Sequence, residues 1–118
     1  IEKRRENVAL YRKYLNPEWV FHPQDGQGED NSWHTFVIQV ERRDELKAHL
    51  TSKGIETAIH YPIPIHLQPA AKFLGYTKGD FPETESQAGK ILTLPVHQYL
   101  DRKMIENIST AVNQFYDC

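Results

Sequence analysis

A partner thiol is missing from this chain: of its 118 residues one is cysteine, Cys118, at the final position. No internal disulfide can form, which fits a reducing compartment, by default the cytoplasm. Asp117 precedes the thiol and no electropositive neighbour is predicted, so no chemistry is assigned to it. Also missing is any apolar run near the roughly 20 residues a membrane span needs. The charged opening "IEKRREN" does not read as a signal peptide. No membrane partner is expected. Neither sign of charge dominates, with 14 Lys and Arg against 16 Asp and Glu and a net charge of −2. That balance leaves no electrostatic reason to expect nucleic acid. Phosphate loops, Gly-x-Ser-x-Gly and Gly-x-Gly-x-x-Gly do not occur, and "DGQG" is a turn in a polar loop. The one methionine is Met104, and the chain opens inside what reads as a helix. A piece of a longer polypeptide is the expectation.

What is present is an ordinary globular composition, 39% hydrophobic and 25% charged. Residues 1–118 are expected to form one domain that buries roughly two thirds of its unfolded surface. Val8, Tyr11 and Leu15 fall at helical spacing, and Asn16-Pro17 stops that helix. Residues 22–32 are a polar loop rich in turn formers. In "SWHTFVIQVE" the alternation predicts a strand with His34, Phe36, Ile38 and Val40 toward the core. "RDELKAHLTSKG" predicts a short helix stopped by Gly54, and "IETAI" a second strand. Residues 67–74 predict one or two helical turns ending at Gly75. "KGDFPETESQAGKIL" predicts a helix with Asp80 before its proline-bearing first turn, and Glu83 and Glu85 where the helix dipole favours acids. "LTLPV" predicts a short buried strand. Met104, Ile105, Ile108, Ala111, Val112 and Phe115 make a helical stripe from about Asp101 onward. The expected fold is α/β: a two-layer sandwich, with a small mixed or antiparallel sheet of about three strands and helices on one face.

The segment "IHYPIPIHLQP", Ile59 to Pro69, holds two histidines on backbone that proline keeps from being helical. In polyproline geometry His60 and His66 stand about 19 Å apart. Two imidazoles on one zinc need their nitrogens within about 4 Å, so a shared metal ion ranks last. Two readings remain: a stiff connector whose histidines bond locally, or a stiff arm that presents them to a pocket. His22, His34, His49 and His97 occupy ordinary loop, strand and helix positions and are read as structural.

Three stretches carry a resemblance: "HTFVIQVERRDEL", "GIETAIHYPIPIHLQPA" and "LGYTKGDFPETESQAGKILTLPVHQYL". The order Gly-Ile, His-Tyr-Pro, a second Pro, His-x-Gln, then Pro-x-x-Glu and Leu-x-Leu-Pro resembles the C-terminal small domain of the nucleotide-sugar aminotransferases. These are fold-type I pyridoxal-phosphate enzymes. The resemblance covers nearly the whole chain, most firmly from His34 to Leu100. It implies a preceding large domain that holds pyridoxal 5'-phosphate and its Schiff-base lysine, and homodimers that build the active site between subunits. It also implies transfer of an amino group from an amino acid such as glutamate to a nucleotide-linked keto-sugar. No lysine here matches the Schiff-base surroundings, so the isolated chain is expected to be inactive. No arginine lies between Arg43 and Arg102 to take a donor carboxylate. The resemblance therefore points to His60, Tyr61, His66 and Gln68 as the substrate-facing groups, with no catalytic, cofactor-binding or metal-binding residue in the chain. The alternative is a stand-alone α/β binding module with a proline-rich docking arm.

Overall fold

The computed structural model describes residues 1–117; Cys118, assigned no chemistry above, lies outside the described residues. The first helix, α1 (Glu2–Tyr14), ends where Leu15 turns extended ahead of Pro17. It buries Asn7, Val8 and Tyr11, with Leu15 just beyond. Its last carbonyls are met from the far end of the chain. Asn113 donates to the Tyr14 carbonyl at 2.8 Å and accepts from the Asn16 N–H at 3.0 Å. Those contacts settle helix-end groups that would otherwise be unpaired.

Strand β1 (Phe36–Gln39) pairs antiparallel with β2 (Ile91–Leu94), with Phe36 opposite Leu94 and Ile38 opposite Leu92. All four side chains are at most 1% exposed. Period-two alternation therefore sends one row to the core and leaves Val37, Gln39 and Ile91 half-buried on the other face. Helix α2 (Arg43–Ser52) adds Leu46 and Leu50, and the last helix α4 (Arg102–Tyr116) adds Ile105, Ile108, Ala111 and Val112. Together with α1 they cover that row and complete one hydrophobic core. Each fully buried aliphatic side chain contributes about 1.5–3 kcal/mol. Tyr11 stacks on Phe36 at 5.0 Å and donates its hydroxyl to the Pro95 carbonyl at 2.5 Å. Burial pushes its pKa up.

The fold is α/β with its helices α1, α2 and α4 on one face, as expected, but the sheet has two strands rather than about three. "IETAI" contributes one antiparallel bridge, Ala58 to Thr93, and Phe21 contributes another to Gln39 on the opposite edge. The reason the Ala58 segment stops there is chemical. Two residues on, the ladder would need an N–H from Pro95 to the Glu56 carbonyl, and proline has none; Thr57, whose backbone faces away from β2, gives its carbonyl to Lys47 Nζ at 2.7 Å. His34 is a second correction. Trp33 sits at φ 54, so the chain turns immediately before the strand, and His34 is exposed. Met104, placed in the core stripe, is 47% exposed. Among the described residues no helix is long and apolar enough to cross a membrane.

Between Ala58 and β2 runs an excursion with little regular structure: 3-10 turns at Ile65–Leu67 and Pro69–Leu74, then α3 (Pro82–Ala88). Gly75, at φ 79, ends the second turn as expected. Asp80 does not cap α3; its carboxylate accepts from the Thr77 N–H at 2.7 Å. The radius of gyration, 15.6 Å, exceeds the about 13.5 Å of a compact chain this long. That extension goes with a lobe of exposed apolar side chains, among them Tyr61, Ile65, Phe73 and Leu74.

Candidate functional site

The proline segment is a braced finger. At its base, Ala58 and Thr93 exchange both backbone hydrogen bonds, at 3.2 and 2.7 Å. Two residues on, His60 Nδ1 lies 2.9 Å from Thr93 Oγ1. The His60–Tyr61 peptide bond is cis, and the two rings meet edge to face at 5.3 Å. Tyr61 is 70% exposed. Pro62 and Pro64 then carry the chain to the first 3-10 turn, where Gln68 Nε2 donates back to the Ile63 carbonyl at 3.1 Å.

His66 turns the other way. It is buried, its Nε2 lies 3.3 Å from Glu85 Oε2, and its ring packs edge to face on Phe81 at 4.8 Å. Glu85 also accepts from the Gly79 N–H at 2.9 Å and the Phe81 N–H at 3.2 Å. These donors, the Gly79 N–H first among them, hold its carboxyl below the usual range. One carboxylate thereby ties the first 3-10 turn, the glycine turn and the start of α3 together.

The four residues expected at one substrate surface thus form two groups. His60 and Tyr61 share a surface beside Thr93, whereas His66 and Gln68 point into the finger's own bracing. Sequence reasoning passed over Thr93 and gave Glu85 only a helix-dipole role. Both left a signal: a lone hydroxyl inside "ILTL", and the acid of the Pro-x-x-Glu element.

Thr93 also lies on the rim of an open groove of about 980 Å³, where the Ala58 segment parts from α4. Its walls include Ile55, Leu94, Pro95, Leu100, Met104 and Ile108.

A minimal sheet covered by three helices, with a proline finger leaving its edge, is the frame that carries these residues. Residues 1–113 match the DegT/DnrJ/EryC1/StrS aminotransferase family, and the chain belongs to that family. It is 44% identical over 86 residues to the erythromycin biosynthesis sensory transduction protein EryC1 of Saccharopolyspora erythraea, covering 73% of this chain and 24% of that protein. It is 39% identical over 93 residues to the dTDP-3-amino-3,4,6-trideoxy-alpha-D-glucose transaminase of Streptomyces venezuelae, covering 79% of this chain and 24% of that enzyme. Among solved structures, S. venezuelae DesV in complex with a ketimine intermediate superposes with a TM-score of 0.94 at 34% identity, over 99% of this chain and 32% of that one. A family aminotransferase from Brucella abortus superposes with a TM-score of 0.88 at 34% identity, over 99% of this chain and 31% of that one. The chain therefore spans a quarter to a third of the length of these relatives.

The pyridoxal phosphate implied by the resemblance needs a lysine amine for its aldehyde and a cluster of donors for its phosphate. The groove does not fit it. Among the described residues Lys53 is the one lysine that lines it and no arginine does, so it lacks a cluster of cationic donors for a phosphate.

Proposed function

We propose that residues 1–118 are the C-terminal small domain of a larger cytoplasmic, homodimeric aminotransferase that uses pyridoxal phosphate. It moves an amino group from an amino acid, glutamate by resemblance, to the keto group of a nucleotide-linked sugar for cell-surface polysaccharide synthesis. The observation that carries this reading is the 0.94 TM-score likeness to DesV over 99% of the chain. The cofactor and its lysine belong, on this reading, to the part of the polypeptide outside this chain, and the isolated chain is inactive.

The finger serves as one wall of the substrate site. His60 and Tyr61 face the oxygens of the sugar nucleotide or the donor carboxylate, because they are the finger's outward polar groups. His66 and Gln68 contribute by fixing the finger's shape. Wall residues of this kind act by orienting substrate and excluding water, not by covalent steps.

The test uses the full-length polypeptide, with glutamate and a keto-sugar nucleotide. His60→Ala is expected to lower kcat/KM roughly 10- to 100-fold, the range for losing a hydrogen bond to a charged group. Circular dichroism should remain native. Wild-type kinetics in that variant would remove the assignment of His60.

A further inference from the structure

We infer that Thr93 is a positioning residue that sets which nitrogen of His60 carries the proton, so that the finger presents Nε2–H as a donor to an oxygen of the substrate. This rests on the substrate-facing role proposed for His60. Thr93 is only 9% exposed and is fixed on both sides. It pairs with Val37 within the sheet and exchanges two backbone hydrogen bonds with Ala58. Its β-branched side chain has little torsional freedom in a strand. The hydroxyl is therefore held in place before any ligand arrives, 2.9 Å from His60 Nδ1.

The direction of that bond follows from counting hydrogens. A hydroxyl has one hydrogen to give, and among the described residues its hydrogen-bond partner is the imidazole. Were Nδ1–H to donate to Oγ1, the hydroxyl hydrogen would have no protein acceptor among the described residues and would be left to the groove, the less favourable arrangement. If the hydroxyl donates, Nδ1 accepts, every group is satisfied, and the proton sits on Nε2. His60 is an exposed residue, and Nε2 is the ring nitrogen that Thr93 leaves free for a ligand. Such a donor recognises carboxylate, phosphate or sugar hydroxyl oxygens, the acceptors that a sugar nucleotide and an amino-acid donor both carry. A ring N–H also supplies direction in a finger that contains no arginine or lysine between Ile59 and Ala71.

The pairing is tested on the 118-residue chain by long-range proton–nitrogen spectra at alkaline pH, where imidazoles are neutral. The His60 signals are identified by their loss in His60→Ala. In the unmodified chain the two ring nitrogens should be well separated, with the proton on Nε2. Thr93→Val, which keeps the strand-favouring shape, should shift them toward an averaged mixture, and Thr93→Ser should restore the separation. A proton on Nδ1 in the unmodified chain, or nitrogens unmoved by Thr93→Val, would overturn the inference. In the full-length enzyme Thr93→Val should raise KM for the sugar nucleotide several-fold, and Thr93→Ser should recover it. Combined with His60→Ala it should add nothing further, as expected for two residues acting as one unit. A full additive loss would overturn the pairing as well. Wild-type kinetics in His60→Ala alone would instead defeat the substrate role of His60, and the spectra would still decide the Thr93 pairing by themselves.

Discussion

At Glu85 one carboxylate gathers the N–H groups of Gly79 and Phe81 and the imidazole of His66. Because these partners favour the ionised form, the folded pKa lies below the unfolded one. The sign of the linkage follows. Stabilisation by the charge is complete above the ordinary carboxylate range and is lost as pH falls through the lowered value. Glu85→Gln keeps the shape and removes the charge, so its urea midpoint should lie below that of the native chain at neutral pH. The gap between them should narrow in acid; equal midpoints at neutral pH would mean that shape alone matters. This residue also marks where sequence reading stops. A helix-start acid was legible at Glu85, but its service to His66 was not, because the two are nineteen positions apart in sequence and meet only after the finger has folded back.

Within the elements, local rules and tertiary competition divide the credit. The stripe of α4 was legible because Ile105, Ile108, Ala111 and Val112 repeat at helical spacing, and its start was legible at Asp101. That carboxylate accepts from the Met104 N–H at 2.9 Å. Asp101→Ala should cost about 0.5–2 kcal/mol of unfolding free energy, measured by denaturant titration, and Asp101→Asn should retain most of it. The third strand was not legible as a bridge. Its residues suit a strand, yet the ladder it would extend meets Pro95, which has no N–H to give, and no pattern within "IETAI" announces which segment it pairs with. Arg43 is the same kind of case: a surface residue by composition, it donates to the Ala88 and Ile91 carbonyls at 2.9 and 3.0 Å and ties α2 to the entry of β2.

For the molecule as a whole, the exposed side chains are as informative as the core. Tyr61, Ile63, Ile65, Phe73, Leu74, Tyr76 and Phe81 all lie between 40% and 84% exposed within one excursion. Apolar exposure on that scale exceeds the scattered surface residues of a typical monomer. The isolated chain should therefore bind a hydrophobic dye such as anilinonaphthalene sulfonate under native conditions while still unfolding cooperatively. Ile65→Ser with Phe73→Ser should lower the fluorescence without moving the unfolding midpoint by much; unchanged fluorescence would place the dye elsewhere.

The clasp that Asn113 makes on Tyr14 and Asn16 joins residues 99 and 97 positions apart. During synthesis, at roughly 5–20 residues per second, α1 must therefore stay on the ribosome for about 5–20 s before its partner exists. Throughout that wait the side of α1 carrying Val8 and Tyr11 is sticky and unprotected. Over this stretch of the nascent polypeptide, chaperone occupancy should accordingly rise at α1 and fall once α4 has emerged.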